Sequence, residues 1–344
     1  MGKKISIDDI AKSLGVSKTL VSLVLNDKAD KHGISPETQE RVKVRIRELN
    51  YKPDVLARGF RMGKSNTIGV LVSDISNRFY SRIARSIEDL AWSHGYTVII
   101  CSTDENISKE KEQIRLLRDR KLDGLIISTS QDKPDFFEKL FETGLPHVLI
   151  DRTFEGMRSP SVSVDNFAGG RMAARHLLHQ GYRKIAVFGI TPDHISTIND
   201  RITGFVSALA EERVIIPPQW LIKIPFGETD NTIKEKLQQF YQAGAMPEAI
   251  FSLNNNLTSA CLLNLRKLSI DIPKQIAIMG FDDVSFFSFN KPSISVIAQP
   301  IERISEVAFD LLLRQIDGNK IAEGEEAVKL PVEIIIRESS IKSL

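Results

Sequence analysis

The stretch Ser6-Ile7-Asp8-Asp9-Ile10-Ala11-Lys12-Ser13-Leu14-Gly15-Val16-Ser17-Lys18-Thr19-Leu20-Val21-Ser22-Leu23-Val24-Leu25 reads as two short helices across a tight turn. Ser6 is an N-cap with Asp9 at the capping-box position, and Ile7, Ile10, Ala11 and Leu14 share one face. Gly15 permits the turn, Ser17 caps a second helix from Lys18 to Leu25, and Val21, Val24 and Leu25 give that helix its apolar side. A third helix opens at Ser35-Pro36-Glu37, with proline at the first helical position and an acid in the first turn, and runs to about Asn50 with Val42, Ile46 and Leu49 inward. Two short helices across a glycine turn, braced by a third, form a helix-turn-helix. Ser17, Lys18, Thr19 and Ser22 then stand near the start of the second helix, where side chains reach base edges. A generic three-helix bundle carries the same pattern, so this geometry alone leaves both readings open.

Charge leans toward the first. Residues 1–66 hold 14 Lys and Arg against 8 Asp and Glu, while the remainder holds 32 against 36. A basic head on a mildly acidic body suits contact with a polyanion. After it comes a basic linker, Asn50-Tyr51-Lys52-Pro53-Asp54-Val55-Leu56-Ala57-Arg58-Gly59-Phe60-Arg61-Met62-Gly63-Lys64-Ser65, and a strand-like run from Thr67 to Val72. Within the linker, the run Gly59 to Ser65 imitates a phosphate-binding loop, but three residues separate its glycines where four are needed, and it precedes a strand instead of following one.

The segments IDDIAKSLGVSKTLVSLVLN, SPETQERV and LNYKPDVLARGFRMGKSNTIGVLVSDIS, in that order and spacing, resemble the N-terminus of the LacI/GalR family of repressors. That resemblance implies a second helix in the major groove and a hinge helix in the minor groove at the operator centre. It assigns DNA contact to Ser17, Lys18, Thr19, Ser22 and Leu23 in the head and to Leu56, Ala57, Arg58 and Phe60 in the hinge. Phe60 stands at the wedge position, where an apolar side chain unstacks a base step, and Leu56 and Ala57 are expected to pack the two hinge helices of a dimer. Three departures from the family pattern stand out. Leu23 replaces an arginine able to reach guanine; Gly59 weakens the hinge helix by about 1 kcal/mol; and Asp27 to Gly33 is a longer connection, expected to be a surface loop.

From Thr67 onward apolar strands alternate with amphipathic helices. The strand-like runs are Ile68–Val72, Thr97–Cys101, Gly124–Ile127, His147–Ile150, Lys184–Phe188, Ala249–Leu253 and Gln275–Gly280. Helical spacing covers Arg78–Ser93, Lys109–Arg120 and Asn166–Gln180. The expected fold is an all-α helix-turn-helix head plus an α/β body of two doubly wound parallel-sheet lobes, similar under the resemblance to periplasmic sugar-binding proteins. Its expected boundaries are a head over 1–52, a hinge over 53–65 and a body over 66–344. The N-lobe then takes about 66–164 and 299–327, and the C-lobe about 165–298 and 328–344.

Ligands of such sheets bind at the carboxyl ends of the strands. Acids, amides, an arginine and aromatic faces collect there, as a sugar or polyol site requires. The effector candidates, which match the family's positions, are Asp74, Phe79, Asp151, Asp165, Asn166, Arg201, Asn254 and Asp282. Arg201 and Asp282 lie in R-x-x-G-F and G-F-D-D patterns, with Asn199-Asp200-Arg201 opening a helix that ends in Gly204-Phe205. Capping of the next helix is an equal reading for Asp165, Asn166 and Asn77; Phe79 and Tyr80 also suit the core, and Arg152 a surface ion pair. The family often has an acid where Asn255 stands.

No nucleophile elbow, zinc motif or dinucleotide fingerprint is present, and the six histidines show no partner pattern, so neither enzyme nor cofactor nor metal site is expected. The start of the chain lacks an apolar leader, and Cys101 and Cys261 sit in apolar surroundings, which together predict a cytoplasmic protein with reduced, buried thiols. The C-terminal strand, Leu330 to Ser340, is not followed by a leucine heptad, which predicts a homodimer. The function expected is a regulator, in the sense of a repressor, that binds a near-palindromic operator in double-stranded DNA and answers to a sugar or sugar phosphate. The competing class is an α/β sugar-binding or sugar-converting protein with an accessory helical head.

Overall fold

The computed structural model describes residues 5–51, 64–154, 156–191, 196–319, 321 and 326–342. The chain divides into two compact units between Ser65 and Asn66. The hinge candidates Leu56, Ala57, Arg58 and Phe60 lie outside the described residues.

In the first unit, α1 spans Ile7–Leu14, α2 Lys18–Leu25 and α3 Pro36–Glu48. The caps explain why the first two helices begin and end as the sequence predicts. Ser6 and Asp9 form a reciprocal capping box, Gly15 takes φ 67° at the end of α1, and the Ser17 hydroxyl accepts the Leu20 amide. Ile10, Ala11, Val21, Val24 and Val42 make the small core. Ala29 joins them, buried beside a 3-10 turn at Asp30–His32, while the other residues of the Asp27–Gly33 connection are exposed, as expected of a surface loop. The third helix ends at Glu48, with Leu49 as its C-cap, two residues short of the expected Asn50.

In the second unit, the strands are β1 (Thr67–Val72), β2 (Thr97–Ser102), β3 (Gly124–Ile127), β4 (His147–Ile150), β5 (Ser161–Val164), β6 (Ile185–Thr191), β7 (Leu221–Pro225), β8 (Ala249–Ser252), β9 (Ala277–Phe281), β10 (Ser295–Ala298), β11 (Ala327–Leu330) and β12 (Glu333–Ile335). The helices are α4 (Arg78–Ser93), α5 (Ile107–Asp119), α6 (Asp135–Glu142), α7 (Asn166–His179), α8 (Ser196–Glu211), α9 (Thr229–Gln242), α10 (Asn255–Lys267), α11 (Ser285–Phe289) and α12 (Ile301–Ile316). One sheet runs β11-β5-β4-β3-β1-β2, all parallel; the other runs β12-β10-β9-β8-β6-β7 and is parallel except for β12. Every residue of β3, β4, β8 and β9 is buried, as strands covered by helices on both faces require.

The chain passes between lobes after β5, after β10 and after β11. Strand β11 pairs with β5, from Ala327 against Ser161 to Leu330 against Val164, so the N-lobe extends through Leu330 and not only to 327. The expected terminal strand from Leu330 to Ser340 is instead the end of β11, the short β12 and a 3-10 turn at Glu338–Ser340. Cys261 is buried, but Cys101, on edge strand β2, is only half-buried.

Helix α8 does not end at Gly204-Phe205 but continues to Glu211. Gly204 has another purpose. A Cβ there would stand 2.0 Å from the Phe167 carbonyl oxygen, and one on Gly170 would stand 2.1 Å from the Arg201 carbonyl oxygen. Two glycines therefore let α7 and α8 touch backbone to backbone, and Phe205 fills the space beneath by stacking on Phe251 at 4.7 Å.

Candidate functional site

The close crossing of α7 and α8 sets the polar centre of the body. It brings Arg201 against Asn166, and the guanidinium Nε donates to Asn166 Oδ1 at 2.8 Å. Its Nη1 donates to the Leu253 carbonyl at 2.6 Å, and the whole group lies 3.6 Å over the Phe281 ring. Burial pulls the Arg201 pKa below the usual arginine range, while Asp282 and Asp151 work to hold its charge. An arginine this deep needs fixed acceptors and an aromatic face, and it has both.

Around Arg201 opens a cleft of about 670 Å³ between the lobes. Of the effector candidates, Asp74, Phe79, Asp151, Arg201, Asn254 and Asp282 line it. Asp165 and Asn166 are not among its lining residues. Asp165 caps α7 by accepting the Ala168 amide at 2.8 Å, and Asn166 is spent on holding Arg201. Asn254 lines the cleft and also caps α10, accepting the Leu257 amide at 2.8 Å.

Both central acids sit just past a strand end in left-handed backbone, Asp151 with φ 65° and Asp282 with φ 72°. Asp151 accepts the Tyr80 hydroxyl at 2.8 Å, and Ser128 donates to the same hydroxyl oxygen at 3.2 Å. Burial pushes the Asp151 carboxyl above the ordinary range, against the pull of Arg152 and Arg201. Asp282 accepts Gln299 Nε2 at 2.6 Å and Asn255 Nδ2 at 3.3 Å. The same Asn255 amide donates to Asn77 Oδ1 at 2.7 Å, joining the C-lobe to the cap of α4 in the N-lobe. An acid at position 255 would lose both donated bonds and place a second carboxyl beside Asp282.

Arg152 does not form the surface ion pair that the sequence allows. It is 8% exposed: two 2.5 Å hydrogen bonds clamp it to Glu105, and a third goes to the Thr129 carbonyl at 3.0 Å. Arg152, Tyr80 and Asn77, for which the sequence left ion-pair, core and capping readings open, line the cleft, as do Glu105 and Gln299, which the sequence reading did not name. Glu105 follows β2 closely, so the rule of strand carboxyl ends points to it as it does to Asp74. Behind them, buried Glu110 accepts from Thr129, the Ser130 amide and Gln131, fixing the loop that Arg152 holds.

In the head, Lys18 and Thr19 are exposed on α2, and Ser22 and Leu23 are half-buried. Lys18 pairs with Asp8 at 3.1 Å, and Asp8 is held below the usual carboxylate range by Lys18 and then Lys12. Ser17 is occupied as the cap of α2. Among the described residues no helix is long and apolar enough to cross a membrane.

A helix-turn-helix head and a two-lobed α/β body around a polar cleft are the architecture of a DNA-binding regulator. Comparison with known proteins places it further. Residues 6–54 match the model for bacterial regulatory proteins of the lacI family, and residues 174–340 that for a periplasmic binding protein-like domain. The chain is 32% identical to the HTH-type transcriptional regulator RegA of Clostridium saccharobutylicum over 98% of its own length and 99% of that protein's. Its fold matches the lac repressor dimer bound to operator and the anti-inducer ONPF with a TM-score of 0.84, at 21% identity over 98% of this chain and 100% of that one. A LacI family regulator from Enterococcus faecium with bound ribose matches with a TM-score of 0.69, at 30% identity over 81% of this chain and 100% of that one. The chain belongs to the lacI family of bacterial regulatory proteins and is a DNA-binding transcriptional regulator.

Proposed function

We propose that the protein is a cytoplasmic repressor, not an enzyme, which binds a near-palindromic operator as a homodimer and is switched by a sugar-like effector held in the cleft. The observation that carries this reading is Arg201. It is buried, stacked on Phe281 and fixed by Asn166 and Leu253, and it stands in a cleft lined by Asp151 and Asp282. Paired carboxyl acceptors, a donor and flat apolar surface match the hydroxyls and ring faces of a sugar. The ribose bound to the Enterococcus faecium relative supports the same class.

On this reading Asp74, Phe79, Asp151, Arg201, Asn254 and Asp282 touch the effector, while Asn166 positions Arg201 and Asp165 only caps. Lys18, Thr19, Ser22 and Leu23 face DNA from α2, with Ser17 fixing its start, and Leu56, Ala57, Arg58 and Phe60 act at the minor groove. The head is taken as 1–52, the hinge as 53–65 and the body as 66–344. Effector and operator affinities are then reciprocally coupled, each altering the other by the same factor.

Thermal unfolding of the full chain against a sugar panel tests the cleft. A ligand at a hundred times its Kd adds about 2.7 kcal/mol, which raises the midpoint by several degrees. Arg201→Ala is expected to abolish that shift, and a normal shift in the variant removes Arg201 from the site. Phe60→Ala is expected to weaken operator binding while sparing the sugar shift; unchanged DNA affinity rejects the wedge.

A further inference from the structure

Six carboxyl side chains line the cleft, from Asp74, Glu105, Asp151, Glu228, Asp230 and Asp282, against two cationic ones, Arg152 and Arg201. No lysine or histidine is among its described lining residues. Even with a proton on buried Asp151, acids outnumber bases by more than two to one.

Both arginines already face acids inside the protein. Arg152 gives both terminal nitrogens to Glu105, so its charge is already neutralised inside the protein. Arg201 spends Nε on Asn166 and Nη1 on the Leu253 carbonyl, and its charge sits in a cleft lined by Asp151 and Asp282. Helix N-termini are the usual alternative for holding phosphate. Of the helices that begin at the cleft, α4 and α10 are closed by their own caps, Asn77 accepting the Phe79 amide at 3.0 Å and Asn254 the Leu257 amide at 2.8 Å, while α9 has no side-chain cap but opens on the acids Glu228 and Asp230.

What remains unsatisfied suits hydroxyls. Arg152 Nε is a buried donor and Gln299 Oε1 a buried acceptor, both without a hydrogen-bond partner, and both residues line the cleft. A hydroxyl both accepts and donates, and so satisfies either atom. A phosphate or carboxylate only accepts at neutral pH, and must sit among carboxyl groups.

We infer that the cleft selects an uncharged or cationic polyhydroxylated ligand and rejects phosphorylated and carboxylated sugars, with Glu105 cancelling Arg152 and the rim acids Glu228 and Asp230 repelling anions. This rests on the sugar reading of the cleft and narrows it.

Calorimetric titration of the full chain with matched pairs tests the charge rule: ribose against ribose 5-phosphate, and glucose against glucose 6-phosphate, gluconate and glucosamine. Any neutral sugar that binds is expected to bind at least about tenfold more tightly than its phosphorylated or carboxylated counterpart. Neutralising the two exposed rim acids together, Glu228→Gln with Asp230→Asn, narrows that gap several-fold, and added salt narrows it in the parent chain. An anionic member that binds more tightly than its neutral counterpart overturns the inference. A panel in which nothing binds at any charge overturns the sugar reading itself, and the charge rule with it.

Discussion

Asp151 and Asp282 occupy the same place in the two lobes. Each follows the third strand in from the edge of its sheet, β4 or β9, and each adopts a positive φ. The Asp151 amide is bound by the Val162 carbonyl of β5 at 2.9 Å, and the Asp282 amide by the Ile297 carbonyl of β10 at 2.8 Å. The two acids thus approach Arg201 from equivalent corners of a duplicated architecture, each held by the neighbouring strand.

Left-handed backbone suits Asp and Asn better than other side chains. Asp282→Asn is therefore expected to keep the fold but to lower effector affinity by about tenfold or more. Asp282→Ala should lose ligand binding too, and in addition about 1 kcal/mol of stability, measurable by denaturant unfolding. Full ligand affinity in the asparagine variant would count against Asp282 as a contact.

Gly204→Ala drives a methyl into the Phe167 carbonyl, where 2.0 Å is available. Both neighbours are helix backbone, so the crossing has to open, at a cost of about 1–3 kcal/mol or more. The midpoint of thermal unfolding should fall by several degrees, and effector affinity should fall with it because Arg201 and Asn166 sit on the separated helices. A silent variant would contradict the backbone-to-backbone crossing.

Asn255→Asp removes the donor that serves both Asp282 and Asn77 and adds a charge beside Asp282. A loss of about 1–3 kcal/mol is expected near neutral pH, and it should shrink in acid as one carboxyl of the pair takes a proton. Urea unfolding at two pH values checks it; an equal loss at both would exclude charge repulsion as the cause.

His176 ties the end of the chain to the C-lobe through Ser340 at 2.6 Å. Burial, with a contribution from His179, lowers its pKa, so the folded state holds a neutral ring. The unfolded chain then binds more protons near the ordinary histidine value of about 6.5, so the contribution of this group to stability is expected to fall as pH falls through that region. His176→Gln should reduce the loss measured between about pH 7.5 and pH 5. The same acid sensitivity in the variant would assign it to other groups.

The elements that close on themselves were legible in the sequence. Helices α1 and α2 begin and end where Ser6, Gly15 and Ser17 dictate, because caps are local chemistry. Arg201 and Asp282 stood out because their patterns combine a charge with a glycine or an aromatic. Arg152 did not, since its meaning depends on Glu105, 47 residues earlier, and a lone arginine after a strand gives no sign of burial. Gly204 looked like a helix end because glycine more often stops a helix than lets two helices touch. The short strands β5, β10 and β11, of four residues each, escaped notice because the serines of β5 and β10 and the lysine in β11 break the apolar run. Asp165 and Asn166 were placed beside the cleft by chain order, whereas the cap of α7 and the Arg201 contact claim them first.

One ligand in this cleft is expected to control DNA binding by the head. The most direct measurement is the affinity of the full chain for a duplex it has itself selected from a random pool, with and without the tightest neutral sugar, in the parent chain and in Arg201→Ala. A change of about fivefold or more is expected in the parent and none in the variant, which still binds the duplex. Equal affinities with and without a sugar that demonstrably occupies the cleft, or the same change in both proteins, would contradict it.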